Sequence, residues 1–117
     1  MGRLTTHVLD TAHGKPGAGI RIGLYRKLGD VYALVKNAVT NADGRCDAPL
    51  LEGPAFTAGR YRLVFAAGAY FAALRVSATD PPFVDDVTLD FGVADVDAHY
   101  HVPLLVSPWS YSTYRGS

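Results

Sequence analysis

The chain of 117 residues has one cysteine, Cys46, so no disulfide can close within it, and scaffolds stapled by cysteine pairs are excluded. The opening MGRLTTHVLD lacks the long apolar stretch of a secretory signal, and a reducing cytoplasm is the expected location. No run approaches the roughly 18 consecutive apolar residues of a membrane-spanning helix. Charge of one sign is also missing: eleven basic side chains face eleven acidic ones. With no net field to draw the chain to phosphate backbones or anionic lipid, neither nucleic acid nor membrane is an expected partner. There is no internal repeat, no low-complexity segment and no Gly-x-Ser-x-Gly elbow, so a serine-based covalent mechanism has little to support it. What is present is globular: 49% of residues are hydrophobic and 19% charged. That length supports one core and one domain, spanning residues 1–117.

Short segments of alternating polarity, separated by Gly, Pro, Asp and Asn, carry the period of two that marks half-buried strands. LTTHVLD places Leu4, Thr6 and Val8 on one face and Thr5, His7 and Leu9 on the other. IRIGLYR and VYALVKN read as a hairpin around Leu28-Gly29-Asp30, with Val31, Ala33 and Val35 aligned. Asp43-Gly44 forms a turn that holds Arg45 at a defined corner. RYRLVFAA is a strand with Tyr61, Leu63 and Phe65 together, and the Ala- and Leu-rich GAYFAALRVSA at 68–78 suits a short helix. After the break at 80–82, VDDVTLDFGV aligns Val87, Leu89, Phe91 and Val93. HYHVPLLVS and WSYSTYR, joined at Pro108, complete about eight strands. The fold class is mainly β: an antiparallel sandwich with one short helix. Pro103 has no N–H to give a ladder, so an irregularity is expected beside His101. Trp109 is expected to pack in the core or at an interface.

His99 and His101 fall on one strand face. An imidazole there serves as general base, metal ligand or hydrogen-bonded structural group, and spacing alone does not choose. Zinc needs three or four ligands and the only thiol is Cys46 beside Arg45, so neither metal nor cofactor is expected. His13, in a Gly/Pro-rich turn, is expected to be exposed without a role. Asp85, Asp86 and Asp90 are read as edge-solvating charges. The tail SYSTYRGS is too dense in aromatic and polar groups for a frayed end.

HYHVPLLVSPWSYSTYRGS at 99–117 resembles the C-terminal signature of the 5-hydroxyisourate hydrolases, transthyretin-like enzymes whose final Tyr-Arg-Gly-Ser separates them from hormone-binding transthyretins. TTHVLDTAHGKPGAGI at 5–20, DGRCDAPLL at 43–51 and GRYRLVFAAGAYF at 59–71 resemble other blocks of the same family. The resemblance implies a transthyretin-like sandwich assembled as a homotetramer, with sites where dimers face each other. It implies hydrolysis of 5-hydroxyisourate to 2-oxo-4-hydroxy-4-carboxy-5-ureidoimidazoline in urate catabolism, by histidine-assisted attack of water without metal. The catalytic set it implies is His7, Arg45 and His101; Tyr114, Arg115, Gly116 and Ser117 join His7 and Arg45 in substrate binding, and His99 is a secondary neighbour. Which histidine is base and which orients stays open. The alternatives are a transthyretin-like protein that binds a small ligand without turnover, and a structural sandwich module.

Overall fold

The computed structural model describes residues 1–76 and 79–117. Strand β1 (Arg3–Asp10) alternates along its whole length: Leu4, Thr6, Val8 and Asp10 are buried, while Arg3, Thr5, His7 and Leu9 face outward. Among the described residues the remaining strands are β2 (Lys15–Pro16), β3 (Arg21–Leu28), β4 (Val31–Val39), β5 (Leu51–Glu52), β6 (Gly59–Phe65), β7 (Val87–Val93), β8 (His99–Val106) and β9 (Tyr111–Thr113), with one α-helix, α1 (Ala67–Ala73). They form two sheets. One has the order β2-β1-β8-β9, with β5 also paired to β1; the other is β4-β3-β6-β7. The expected sandwich is thus present, and one pair within it, β1 with β8, runs parallel.

The inner faces enclose a single apolar cluster, including Leu4, Val8, Ile22, Leu24, Tyr61, Leu63, Phe65, Val87, Leu89, Val102 and Leu104. Burying each aliphatic or Phe side chain of this kind contributes about 1.5–3 kcal/mol relative to leaving it in water. Tyr61, Leu63 and Phe65 share the buried face as their spacing requires, and so do Val87, Leu89 and Val93. The expected hairpin is β3–β4, with a register shift between Leu24 and Tyr25. Here the alignment on β4 does not produce core positions: Val31 and Val35 are exposed on this edge strand.

Helix α1 is shorter than the segment at 68–78. It ends after Ala73, and Arg75 adopts φ 57, a left-handed conformation that stops helical propagation; positions 77 and 78 of the expected helix lie outside the described residues. The loop after it packs against the β8–β9 turn through Val84 N–H, which donates to the Pro108 carbonyl. Trp109 is not in the core: it is 55% exposed and its ring tilts against that of Phe83 at 6.2 Å. A separate polar cluster anchors the first turn of the chain to the helix. The buried Asp10 carboxylate accepts Tyr70 O–H at 2.7 Å and the His13 ring Nδ1 at 2.6 Å. Burial pushes the Asp10 carboxyl up, but these hydrogen bonds, a third from the His13 backbone N–H at 3.1 Å and the charge of His13 together outweigh it and hold the group below its usual range.

Candidate active site

The parallel register sets Arg3 opposite His99 and Thr5 opposite His101, all on the outward face of the sheet. From this position the Thr5 hydroxyl oxygen lies 2.7 Å from His99 Nε2 and 2.8 Å from His101 Nδ1. The two imidazoles meet at 61° with centroids 6.1 Å apart.

Arg45 arrives from the loop that follows β4. Asn41 shapes this loop: its side-chain oxygen accepts the N–H groups of Asp43 at 2.9 Å and Arg45 at 3.1 Å, and its amide donates to Asp47 at 3.0 Å. Gly44 docks the loop on β1, its carbonyl accepting Val8 N–H at 2.8 Å. Gly44 has φ 75, and a Cβ there would fall below 3.0 Å from the Val8 carbonyl oxygen, so only glycine fits both the turn and the approach. Residue 45 then pairs across from His7 as an isolated bridge. The expected corner at Arg45 is therefore real, and its cause is the Asn41 side chain together with Gly44.

The tail returns to the same place. Gly116 exchanges backbone hydrogen bonds with His101, donating at 2.7 Å and accepting at 3.2 Å. Between this bridge and β9, the ladder is interrupted opposite Pro103, whose carbonyl accepts the Thr113 hydroxyl at 2.7 Å. The irregularity expected from Pro103 is thus found, although the proline is buried within β8 rather than at an edge.

These pieces enclose a cleft of about 400 Å³ lined by Arg3, Thr5, Arg45, His99, His101 and Ser117, with Cys46 to Pro49 as one wall. Burial, followed by the charges of Arg45, His99 and His7, lowers the His101 pKa below the ordinary imidazole value. Burial also lowers that of His99, with Arg3 and Arg115 adding to it. Both rings are therefore held toward the neutral form, which can accept a proton. Burial pushes the Cys46 thiol up, away from the nucleophilic thiolate. Among the described residues, no group of three or more His, Cys, Asp or Glu is arranged to hold a metal ion. Nor is any helix among them long and apolar enough to cross a membrane.

Of the residues singled out by sequence, Arg45, His101 and Ser117 line this cleft and Gly116 backs it. His7 stands beside it, its Nε2 donating to the Asp43 carbonyl at 3.0 Å. A carbonyl only accepts, so the proton of neutral His7 is on Nε2 and its Nδ1 lone pair is free. Tyr114 and Arg115 are not brought to the cleft. They line a second groove of about 340 Å³ between the tail and β7, where the Arg115 guanidinium sits 4.4 Å over the Tyr100 ring. His99, Thr5 and Arg3 belong to the cleft more directly than sequence reasoning placed them. Alternation already set Thr5 on the His7 face, but only the β1–β8 register adds it to the histidine pair.

A two-sheet sandwich holding two imidazoles, both biased toward the neutral form, and two guanidinium groups in one outward cleft defines a transthyretin-type scaffold equipped for proton transfer. The chain belongs to the HIUase/Transthyretin family, whose model matches residues 4–116. It is 63% identical over 117 residues to a 5-hydroxyisourate hydrolase of Ralstonia nicotianae, covering all of both chains. Among solved structures it is similar to the Klebsiella pneumoniae 5-hydroxyisourate hydrolase, with a TM-score of 0.82 and 37% identity over 98% of this chain and 99% of that one. It is also similar to a sea bream transthyretin in complex with thyroxine, with a TM-score of 0.88 and 28% identity over 97% of this chain and 94% of that one.

Proposed function

We propose that the protein hydrolyses 5-hydroxyisourate, opening the six-membered ring of this oxygen-rich purine derivative in urate breakdown. The observation that carries this reading is the convergence of Arg45, His101 and Ser117 on one cleft in a chain 63% identical, end to end, to a relative of that name. His101 Nδ1 is engaged by Thr5, and with the ring proton on Nδ1 donated to that hydroxyl, Nε2 takes a proton from water. The water oxygen bonds to the amide-like carbonyl carbon and the ring C–N bond breaks. The proton held on Nε2 passes to the departing nitrogen. Arg45 offers a rigid fork of donors to the oxygen that gathers negative charge, and Arg3 adds a second cation to the same cleft. His7, its Nε2 fixed on the Asp43 carbonyl, takes the orienting role, with its Nδ1 lone pair accepting from a substrate N–H. Ser117 closes the tail side of the site.

We further propose a cytoplasmic homotetramer in which the cleft, open in the single chain, is completed where dimers meet. The unpaired Cys46 thiol and the transthyretin family relationship support this assembly and location. Gel filtration tests it: a monomer would remove the interface.

The activity test follows the absorbance of freshly generated 5-hydroxyisourate with wild type, His7→Ala, Arg45→Ala and His101→Ala, each checked for folding. A general base contributes about 10²–10⁴ in rate and an oxyanion donor about 10²–10³, so the His101 and Arg45 variants are expected near background. Background decay with folded wild type would overturn the reading in favour of a ligand-binding sandwich.

A further inference from the structure

We propose that Thr5 is a positioning residue that sets the tautomer of His101, and that His99 is the acceptor this requires. The inference rests on the hydrolase reading above and assigns roles within its site. A threonine hydroxyl has one proton to give and two lone pairs to offer. Thr5 Oγ1 stands within hydrogen-bond distance of two ring nitrogens, His99 Nε2 at 2.7 Å and His101 Nδ1 at 2.8 Å. When both rings are neutral, the hydroxyl can donate to only one of them, so the other must itself be an N–H donor. The hydrogen bonds therefore run in one of two directions.

Running from His101 Nδ1–H to Thr5, and from Thr5 O–H to His99 Nε2, they leave His101 Nε2 with a bare lone pair. Running the other way, they put the proton of neutral His101 on Nε2 and abolish the base. The productive direction requires His99 Nε2 to accept, and hence His99 to be neutral. The surroundings favour that state: Arg3 lies opposite His99 in the strand register, Arg115 contributes positive charge from the tail, and His99 is itself partly buried. Around His101 the charged and titratable groups are Arg45, His99 and His7, all of which disfavour a second positive charge. Asp47 also lines the cleft, but its carboxylate is held by the Asn41 amide. Protonation of His99 breaks the directional chain, because its Nε2 can then no longer accept, whereas His101 takes its proton on Nε2 and keeps its Nδ1–H bond to Thr5. Thr5 thus couples the two histidines, and a ring of no evident role in the sequence becomes necessary to the base.

The experiment compares Thr5→Val, which keeps the β-branched shape, with Thr5→Ser, which keeps the hydroxyl, in the assembled protein. Two readouts are used: kcat and KM across pH, and ¹⁵N NMR of the histidine rings without substrate. The expected result is a fall in kcat of about 10–100-fold in Thr5→Val, a fraction of the full general-base effect, with KM little changed and the acid limb displaced. Thr5→Ser should recover most of that loss. In wild type, His101 should carry its proton on Nδ1, and in Thr5→Val it should shift toward a mixture. A wild-type His101 protonated on Nε2, or a Thr5→Val enzyme with unchanged kcat and pH profile, would overturn the proposal. The NMR result needs no turnover and no variant, so an inactive wild type would sink the hydrolase reading while the Thr5 assignment is still judged by its tautomer.

Discussion

Replacing Gly44 by alanine should detach the loop that carries Arg45, and the size of the effect follows from two separable costs. An L-residue in the left-handed region costs about 1–2 kcal/mol. Gly44 has φ 75 and Gly29 has φ 62, so both positions bear this cost. A Cβ on Gly29 meets nothing within 4 Å, whereas on Gly44 it falls below 3.0 Å from the Val8 carbonyl oxygen. Backbone must therefore move at Gly44. Moving it disturbs the bond from Val8 N–H to the Gly44 carbonyl at 2.8 Å and that from Gly17 N–H to the Val8 carbonyl at 2.9 Å. At about 1 kcal/mol each, these bring the Gly44→Ala cost to about 3–4 kcal/mol, against about 1–2 for Gly29→Ala. For a domain of this size, taken as about 4 °C per kcal/mol, Tm should fall by about 12–16 °C for Gly44→Ala and about 4–8 °C for Gly29→Ala. Thermal unfolding at fixed protein concentration measures both, since association makes Tm concentration-dependent. Activity below the transition should fall only in Gly44→Ala. Equal Tm shifts would refute the argument that close approach to β1, and not the turn conformation alone, demands glycine.

Tyr70→Phe should cost about 1.5–3 kcal/mol, the usual worth of a hydrogen bond to a charged group, and should move acid unfolding to higher pH. The sign follows from Asp10: its folded pKa lies below the ordinary 3.8, so its contribution is present above 3.8 and is lost as pH falls through the lower folded value. Removing the Tyr70 donor raises that folded value, and an unmoved circular-dichroism acid midpoint would contradict the account. The acid limb of kcat/KM should lie below pH 6.5, because the His101 pKa is depressed; a limb at or above 6.5 would argue against His101 as base. The same depression lets the unfolded chain bind the proton first, so stability should erode as pH falls below about 6.5. Gly116→Val should reduce kcat by about tenfold or more with little change in Tm, since even a Cβ there sits 3.2 Å from His101 Cβ and Cδ2 and presses on the ring. Full activity in that variant would mean that the ring has room to yield.

Alternation made the long strands legible because β1, β6 and β7 each bury one face against the core. It could not show β2 or β5, two-residue pairings that exist only through contact with β1. The end of α1 was hidden as well, because Arg75 has no sequence signal for positive φ. Family resemblance named Arg45, His101 and the tail, while the reasons for their placement are tertiary: the Asn41 side chain, the approach of Gly44 and the Gly116 bridge. Tyr114 and Arg115 adjoin the two tail residues at the cleft, yet they line the groove beside Tyr100 and β7. Thr5 looked like an ordinary strand residue, since its meaning depends on a partner 96 positions away.

The parallel pairing of β1 with β8 also fixes when the cleft comes into being. A ribosome makes Thr5 94 residues before His99 and 96 before His101, while the intervening chain supplies all of the β4-β3-β6-β7 sheet. The hairpin can form on local contacts as it emerges, but β1 must wait for a distant partner, and contacts of such long sequence separation are slow to close. A nascent chain stalled before residue 99 would hold its N-terminal strand with the β8 side unpaired, a template for other strands.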